Sequence, residues 1–233
     1  MKRIFLLGFI LSLCFCTYSQ QKRSKGRDSG KEHFFGVTFG TNLAYGRLTD
    51  EVYSDLTPSL FPRLLGGFFY QTHTTIRFSF KYGMNYSAKG LLYKREKVGF
   101  DYTLRADYIE TYSLATFSFL SSKRKFDPYV TAGFYFGVPV AGNIESVTSS
   151  GINLGPLIVT RENLAPTDLG MKIGFGANYR FQGRKTYKVQ FQVVQSNSFY
   201  DSFGLNEANN FPTIGKRKLK AIEITTAFLI PIR

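Results

Sequence analysis

Cysteine, histidine and long apolar runs are all scarce in this chain, and each shortage closes off a class of function. The only cysteines, Cys14 and Cys16, fall in an N-terminal stretch with the form of a secretory signal peptide. Lys2 and Arg3 come first, then a short apolar run from Ile4 to Phe15, then Thr17 and Ser19 at the −3 and −1 positions of a cut after Ser19. That run is too short to span a bilayer comfortably. Leu13 and Phe15, rather than small residues, precede the two cysteines, which argues against lipidation. Removing the leader leaves no cysteine at all, so disulfides and thiolate metal sites are excluded. His33 and His73 are the only histidines, in no metal-binding spacing, and no later segment is long and apolar enough for a membrane helix.

What the chain does have is charge of one sign, glycine and aromatics. The formal charge is +14, and it falls to +12 when Lys2 and Arg3 leave with the leader. An exported chain with that balance suits anionic lipid headgroups or polysaccharide rather than nucleic acid. Residues 20–32, QQKRSKGRDSGKE, are polar and basic with nothing to bury, and read as a flexible lead-in. The remainder, 33–233, carries 24 Phe and 15 Tyr less those in the leader, with many of the 22 glycines between them.

The aromatics are arranged at period two. From Ile76 to Tyr86, a large residue holds every second position: Ile76, Phe78, Phe80, Tyr82, Met84 and Tyr86 on one face of a strand, with Arg77, Ser79, Lys81, Gly83 and Asn85 on the other. Similar alternation predicts strands over Phe34 to Gly46, Pro62 to Gln71, Asp107 to Leu120, Pro128 to Ala141, Thr167 to Phe181, from Tyr187, and from Leu219 to Pro231. That makes eight. In the Asp107 to Leu120 strand the two faces are similar in polarity. Cost decides between them: Glu110 is placed inward with Tyr108, Tyr112 and Leu114, because a carboxylate facing lipid is unfavourable.

The connections alternate long and short. Leu48 to Phe61, Gly142 to Pro166 and Ser202 to Lys218 read as long loops. Ala88 to Ala106 reads as a long charged connection or as a ribbon extending its flanking strands. In an up-and-down barrel this gathers the long loops at one end and the tight turns at the other, with both termini at the turn end, the asymmetry of bacterial outer-membrane barrels. A soluble barrel would have its apolar face inside and its charges outside. The expected fold is therefore all-β: an eight-stranded antiparallel up-and-down transmembrane β-barrel. Its lumen is expected to hold Arg63, Arg77, Lys81, Glu110, Asp168, Lys172, Arg180, Lys188 and Glu223.

Three segments, DYIETYSLATFSFL (Asp107 to Leu120), DPYVTAGFYFG (Asp127 to Gly137) and DLGMKIGFGANYRF (Asp168 to Phe181), resemble the PorT-like, porin-family outer-membrane barrels of Bacteroidetes-type bacteria. The sequence departs from that family's pattern around Thr111 and Tyr112, where a proline is usual, and at Arg233, where barrels end on an aromatic. The resemblance implies the architecture and leaves the role open, since the family includes secretion-related members.

No catalytic constellation is present: His33 and His73 fall at the turn end and read as ordinary surface residues. Gly66, Gly67, Gly174 and Gly176 read as close-packing positions that let Tyr112, Tyr129 and Tyr135 fit inside the ring. The pattern predicts a barrel with no enzymatic activity and no cofactor. It would sit in outer-membrane lipid and lipopolysaccharide, with a structural, adhesive or accessory role in which long loops meet a protein or glycan. The alternatives are a narrow lumen binding or conducting small anions, and an accessory part in protein secretion.

Overall fold

The computed structural model describes residues 32–46, 57–95, 100–120, 124–148, 153–157, 167–181, 186–199 and 219–232, and of residues 46, 57–58, 91, 93–95, 100–102, 104, 143–148, 153–157 and 219 only the backbone. The leader, the lead-in through Lys31 and most loops assigned from the sequence lie outside these residues. Ten strands are present: β1 (His33–Gly46), β2 (Thr57–Ser59), β3 (Phe61–His73), β4 (Phe78–Arg95), β5 (Phe100–Ser118), β6 (Phe126–Thr148), β7 (Asn153–Leu157), β8 (Asp168–Phe181), β9 (Tyr187–Ser198) and β10 (Leu219–Ile232).

Eight of them close a ring. Antiparallel ladders join β1 to β3, β3 to β4, β4 to β5, β5 to β6, β6 to β8, β8 to β9, β9 to β10, and β10 back to β1. Closure leaves no unpaired edge in the ring, which is what a sheet in lipid requires. His33 pairs with Ile232, so the first and last strands begin and end at the same end of the barrel.

The alternation read from the sequence holds around the ring, and its polarity is inverted relative to a soluble protein. Phe39, Phe134 and Phe175 are 68%, 63% and 63% exposed on the outside, while Glu110 and Lys172 are 0% and 1% exposed inside. In β5, Tyr108, Glu110, Tyr112 and Leu114 are buried and Phe117 and, just past its end, Phe119 are exposed. Water would penalise such an outer belt, whereas hydrocarbon accommodates it.

The interior is not polar throughout. Phe34, Phe69, Tyr112, Leu114, Tyr135, Ala227 and Leu229 form an apolar cluster beside the charges. Two glycines make room for tyrosines in it: a Cβ on Gly83 would overlap the Tyr112 ring, and one on Gly170 would come within 2.5 Å of the Tyr135 ring.

Past the ring, β4, β5 and β6 continue as a sheet. β3 leaves β4 at Leu65 and Ser87 and β8 leaves β6 at Asp168 and Gly137, yet β4 stays paired to β5 as far as Arg95 and Phe100, and β5 to β6 as far as Phe100 and Thr148. From Asp107 to Phe100 this adds about 23 Å of ladder at ~3.3 Å per residue. β2 joins it along Leu92 to Lys94, and β7 joins β6 at Ile144 and Glu145. Much of Ala88 to Ala106, and parts of Leu48 to Phe61 and Gly142 to Pro166, are thus strand rather than loop. The ribbon reading of Ala88 to Ala106 is the one that holds.

Candidate functional site: the charged interior

Inward positions on four strands bring lysines and carboxylates together across the lumen. Lys172 on β8 reaches Glu110 on β5 at 2.9 Å and Glu223 on β10 at 2.7 Å. Lys89 on β4 pairs with Glu110 at 2.5 Å and with Asp168 at 2.8 Å. Asp168 also accepts from Ser198 at 2.5 Å and from Tyr135 at 3.2 Å. The Lys89 ammonium lies 4.6 Å from the Tyr135 ring centroid and that of Lys172 lies 5.2 Å from it, so one aromatic ring serves both cations. Each charge is fully desolvated and would be costly alone; the network of opposite charges and hydroxyls compensates it.

Toward the termini the partners change from carboxylates to amides. Lys81 donates to Gln190 and, at 2.7 Å, to Gln192, and stands 4.5 Å from the Phe69 ring centroid. Tyr129 donates to the same Gln192 at 3.1 Å, and Gln190 donates to Asn178 at 3.0 Å. At the end itself, Glu32 binds Arg180 at 2.5 Å and Lys188 at 3.5 Å, while Lys188 lies 4.0 Å from the Phe34 ring centroid.

Of the nine lumen residues expected from the sequence, Lys81, Glu110, Asp168, Lys172, Arg180, Lys188 and Glu223 stand on the inner side. Arg77 does not. The hydroxyl of Thr75 accepts from the Arg77 and Phe78 amides at 3.3 and 3.0 Å, which holds residues 74–77 in a turn and leaves Arg77 exposed before β4 begins. Arg63 keeps the β1–β3 register opposite buried Asn42 and the parity of buried Leu65, so it stands on the inner side near the far end of β3, where its guanidinium meets Asp107 at 2.9 Å.

Three interior charges fell outside the sequence reading. Lys89 falls in the charged connection or ribbon from Ala88 because apolar alternation stops at Tyr86, yet it keeps the parity of Lys81 and Asn85. Asp127 keeps the parity of Tyr129, is buried, and accepts from Ser118 at 2.9 Å. Glu32 was placed at the end of the lead-in. His73, read as a surface residue, is buried at the end of β3 with its Nε2 3.4 Å from Lys188 Nζ. His33 has a partner too, the Tyr70 hydroxyl at 2.6 Å.

Besides the Arg63 and Asp107 pair, the described interior holds five cations (Lys81, Lys89, Lys172, Arg180, Lys188) and five carboxylates (Glu32, Glu110, Asp127, Asp168, Glu223), where the sequence suggested a cationic excess. A void of about 20 Å³ between Lys81, Lys172, Asn85, Tyr112 and Glu223 has room for about one water molecule.

No protein-family model matches this chain, and no curated protein is significantly similar to it in sequence. Among solved structures it is similar to Neisserial surface protein A at 12% identity, covering 84% of this chain and 96% of that one, TM-score 0.42. It is similar to the outer membrane protein OprG of Pseudomonas aeruginosa at 9% identity, covering 86% and 93%, TM-score 0.46. A third likeness is to Ail, the attachment invasion locus protein of Yersinia pestis, in complex with the heparin analogue sucrose octasulfate, at 8% identity, covering 85% and 99%, TM-score 0.36. At these values the barrel assignment rests on the chain's own strand register, and no role is carried over from these proteins.

Proposed function

We propose that this chain is an integral outer-membrane protein, exported with its leader cut after Ser19. Both termini face the periplasm, and the barrel acts as a structural, adhesive or accessory scaffold whose opposite end engages a protein or surface glycan. The observation that carries this reading is the inverted polarity of a closed ring: exposed Phe, Ile and Val outside, paired charge inside. The likeness of its strands to PorT-like barrels belongs to the same reading, as does a setting of phospholipid and lipopolysaccharide. The equal count of interior cations and carboxylates, with the 20 Å³ void, favours a packed plug over a lumen for small anions.

The binding end is the one with the projecting sheet and the long connections, so the test is made there. Residues 158–166 and 200–218 are replaced by short Gly-Ser turns, with heat-modifiable gel mobility as the check on folding. Loss of cell-surface binding from a folded barrel supports the scaffold reading; unchanged adhesion and an unchanged set of co-purified partners rejects it.

A further inference from the structure

The end of the barrel that holds the termini carries uncompensated positive charge at its rim. Arg77, Arg124 and Lys125 are exposed there, and among the described residues none of the three makes an ion pair. The described carboxylates at this end are already engaged: Glu32 by Arg180 and Lys188, and buried Asp127 by Ser118. By sequence, residues 74–77, 119–126 and 182–186 contain no Asp or Glu.

Backbone hydrogen bonds fix where these cations stand. The Arg77 carbonyl accepts from the Ser118 amide at 2.8 Å, and the Lys125 carbonyl accepts from the Arg180 amide at 2.8 Å, so the ladders run down to the cations and end there. Arg77 at the foot of β4 and Lys125 at the foot of β6 are two strand spacings apart, about 10 Å along the wall. The aromatics beside them face out. Phe119 and Phe126 are exposed, and the Lys125 ammonium lies 5.5 Å from the ring centroid of Tyr179. Tyr179 has the parity of outward Ile173 and Phe175 and packs edge-on against exposed Phe181. Lys125 is thereby held on the outer side of the wall. Cations at the edge of an outward aromatic girdle match the boundary between hydrocarbon and headgroups.

We propose that Arg77, Arg124 and Lys125 form a docking surface for the phosphate diesters of anionic phospholipid in the leaflet at this end, the periplasmic leaflet on the outer-membrane reading, on which the inference rests. Guanidinium offers paired donors to phosphate oxygens, and an anionic leaflet attracts basic side chains at its surface. Lipid is favoured over a soluble anion because the cations continue the outward apolar belt. A lipid whose acyl chains lie against Phe119 and Phe126 presents its headgroup at their level.

The test uses the full mature chain refolded into vesicles of equal parts phosphatidylcholine and phosphatidylglycerol, with lipid retained after detergent extraction counted by native mass spectrometry. Wild type is expected to retain phosphatidylglycerol about tenfold over phosphatidylcholine. The R77Q/R124Q/K125Q variant is expected to bring that ratio close to unity while keeping heat-modifiable folding. K125Q alone is expected to lose part of the preference, and it decides the matter if the triple variant does not refold. K216Q/R217Q/K218Q, with the same change in net charge just before β10, is expected to keep the wild-type ratio. Equal retention of both lipids by wild type overturns the surface, as does an unchanged ratio in either folded rim variant or an equal loss in the K216Q/R217Q/K218Q chain. Abolition of the preference by inorganic phosphate makes the ligand a soluble anion, and retention by isolated peptidoglycan without any lipid preference assigns the rim to the cell wall; each overturns the lipid assignment. A chain that inserts into no vesicle overturns the membrane reading itself, a separate result.

Discussion

Lys172 and Glu110, 62 positions apart, meet inside the barrel at 2.9 Å, and Lys172 simultaneously holds Glu223. One ammonium thereby ties β8 to β5 on one side and to β10 on the other, in each case across an intervening strand. This cross-bracing inside the ring is independent of the ladder hydrogen bonds.

Removing that cation leaves two carboxylates short of a partner in a water-poor interior. Lys172→Met is expected to lower stability by about 3 kcal/mol. Adding Glu223→Gln should recover part of the loss, because it removes one of the stranded charges. Urea unfolding in detergent micelles, followed by circular dichroism, measures both.

The lipid belt gives a prediction of the opposite kind. Phe134 lies in the middle of the outward face of β6 and is among the most exposed large side chains. Phe134→Lys puts a charge in hydrocarbon and should cost about 2–4 kcal/mol in vesicles. The same substitution should be nearly silent if the belt faced water, so the folding yield in phosphatidylcholine vesicles separates the two environments.

Close packing of glycine against tyrosine sets a steric limit. Gly83→Val places two methyl groups where the Tyr112 ring lies, and the carbonyl of Phe68 stands 2.8 Å from the first added carbon. The expected loss is about 1–3 kcal/mol. Tyr112→Ala in the same chain should relieve the overlap while opening a cavity, so the pair is expected to be non-additive in the unfolding midpoint.

A packed and charge-balanced interior should not conduct. In planar bilayers the wild-type barrel is expected to give no steady current at either polarity; a reproducible ohmic conductance would establish an open lumen and reject the plug.

At the end with the termini, Glu32 links the start of β1 to Arg180 and Lys188. Glu32→Ala is expected to cost about 1 kcal/mol, a modest value because the carboxylate is partly exposed. Hydrogen exchange at the His73 amide, which donates to the Glu32 carbonyl at 3.0 Å, should rise in that variant.

Much of this architecture is legible in the sequence because a strand's side-chain period is two, and a sheet with unlike faces must write its environment into that period. The faces of β1, β6, β8, β9 and β10 follow from it directly, as does Glu110 once the cost of a lipid-facing carboxylate is counted. Tertiary structure decided what the period cannot hold. A Thr75 turn takes Arg77 out of the inward set. Lys89 enters the interior because β4 runs on past the last aromatic of its apolar stripe. Which charges meet is set by the stagger of strands around a closed ring, a relation among residues dozens of positions apart, so Lys89 with Asp168 and Lys172 with Glu223 exist as pairs only once the barrel has closed.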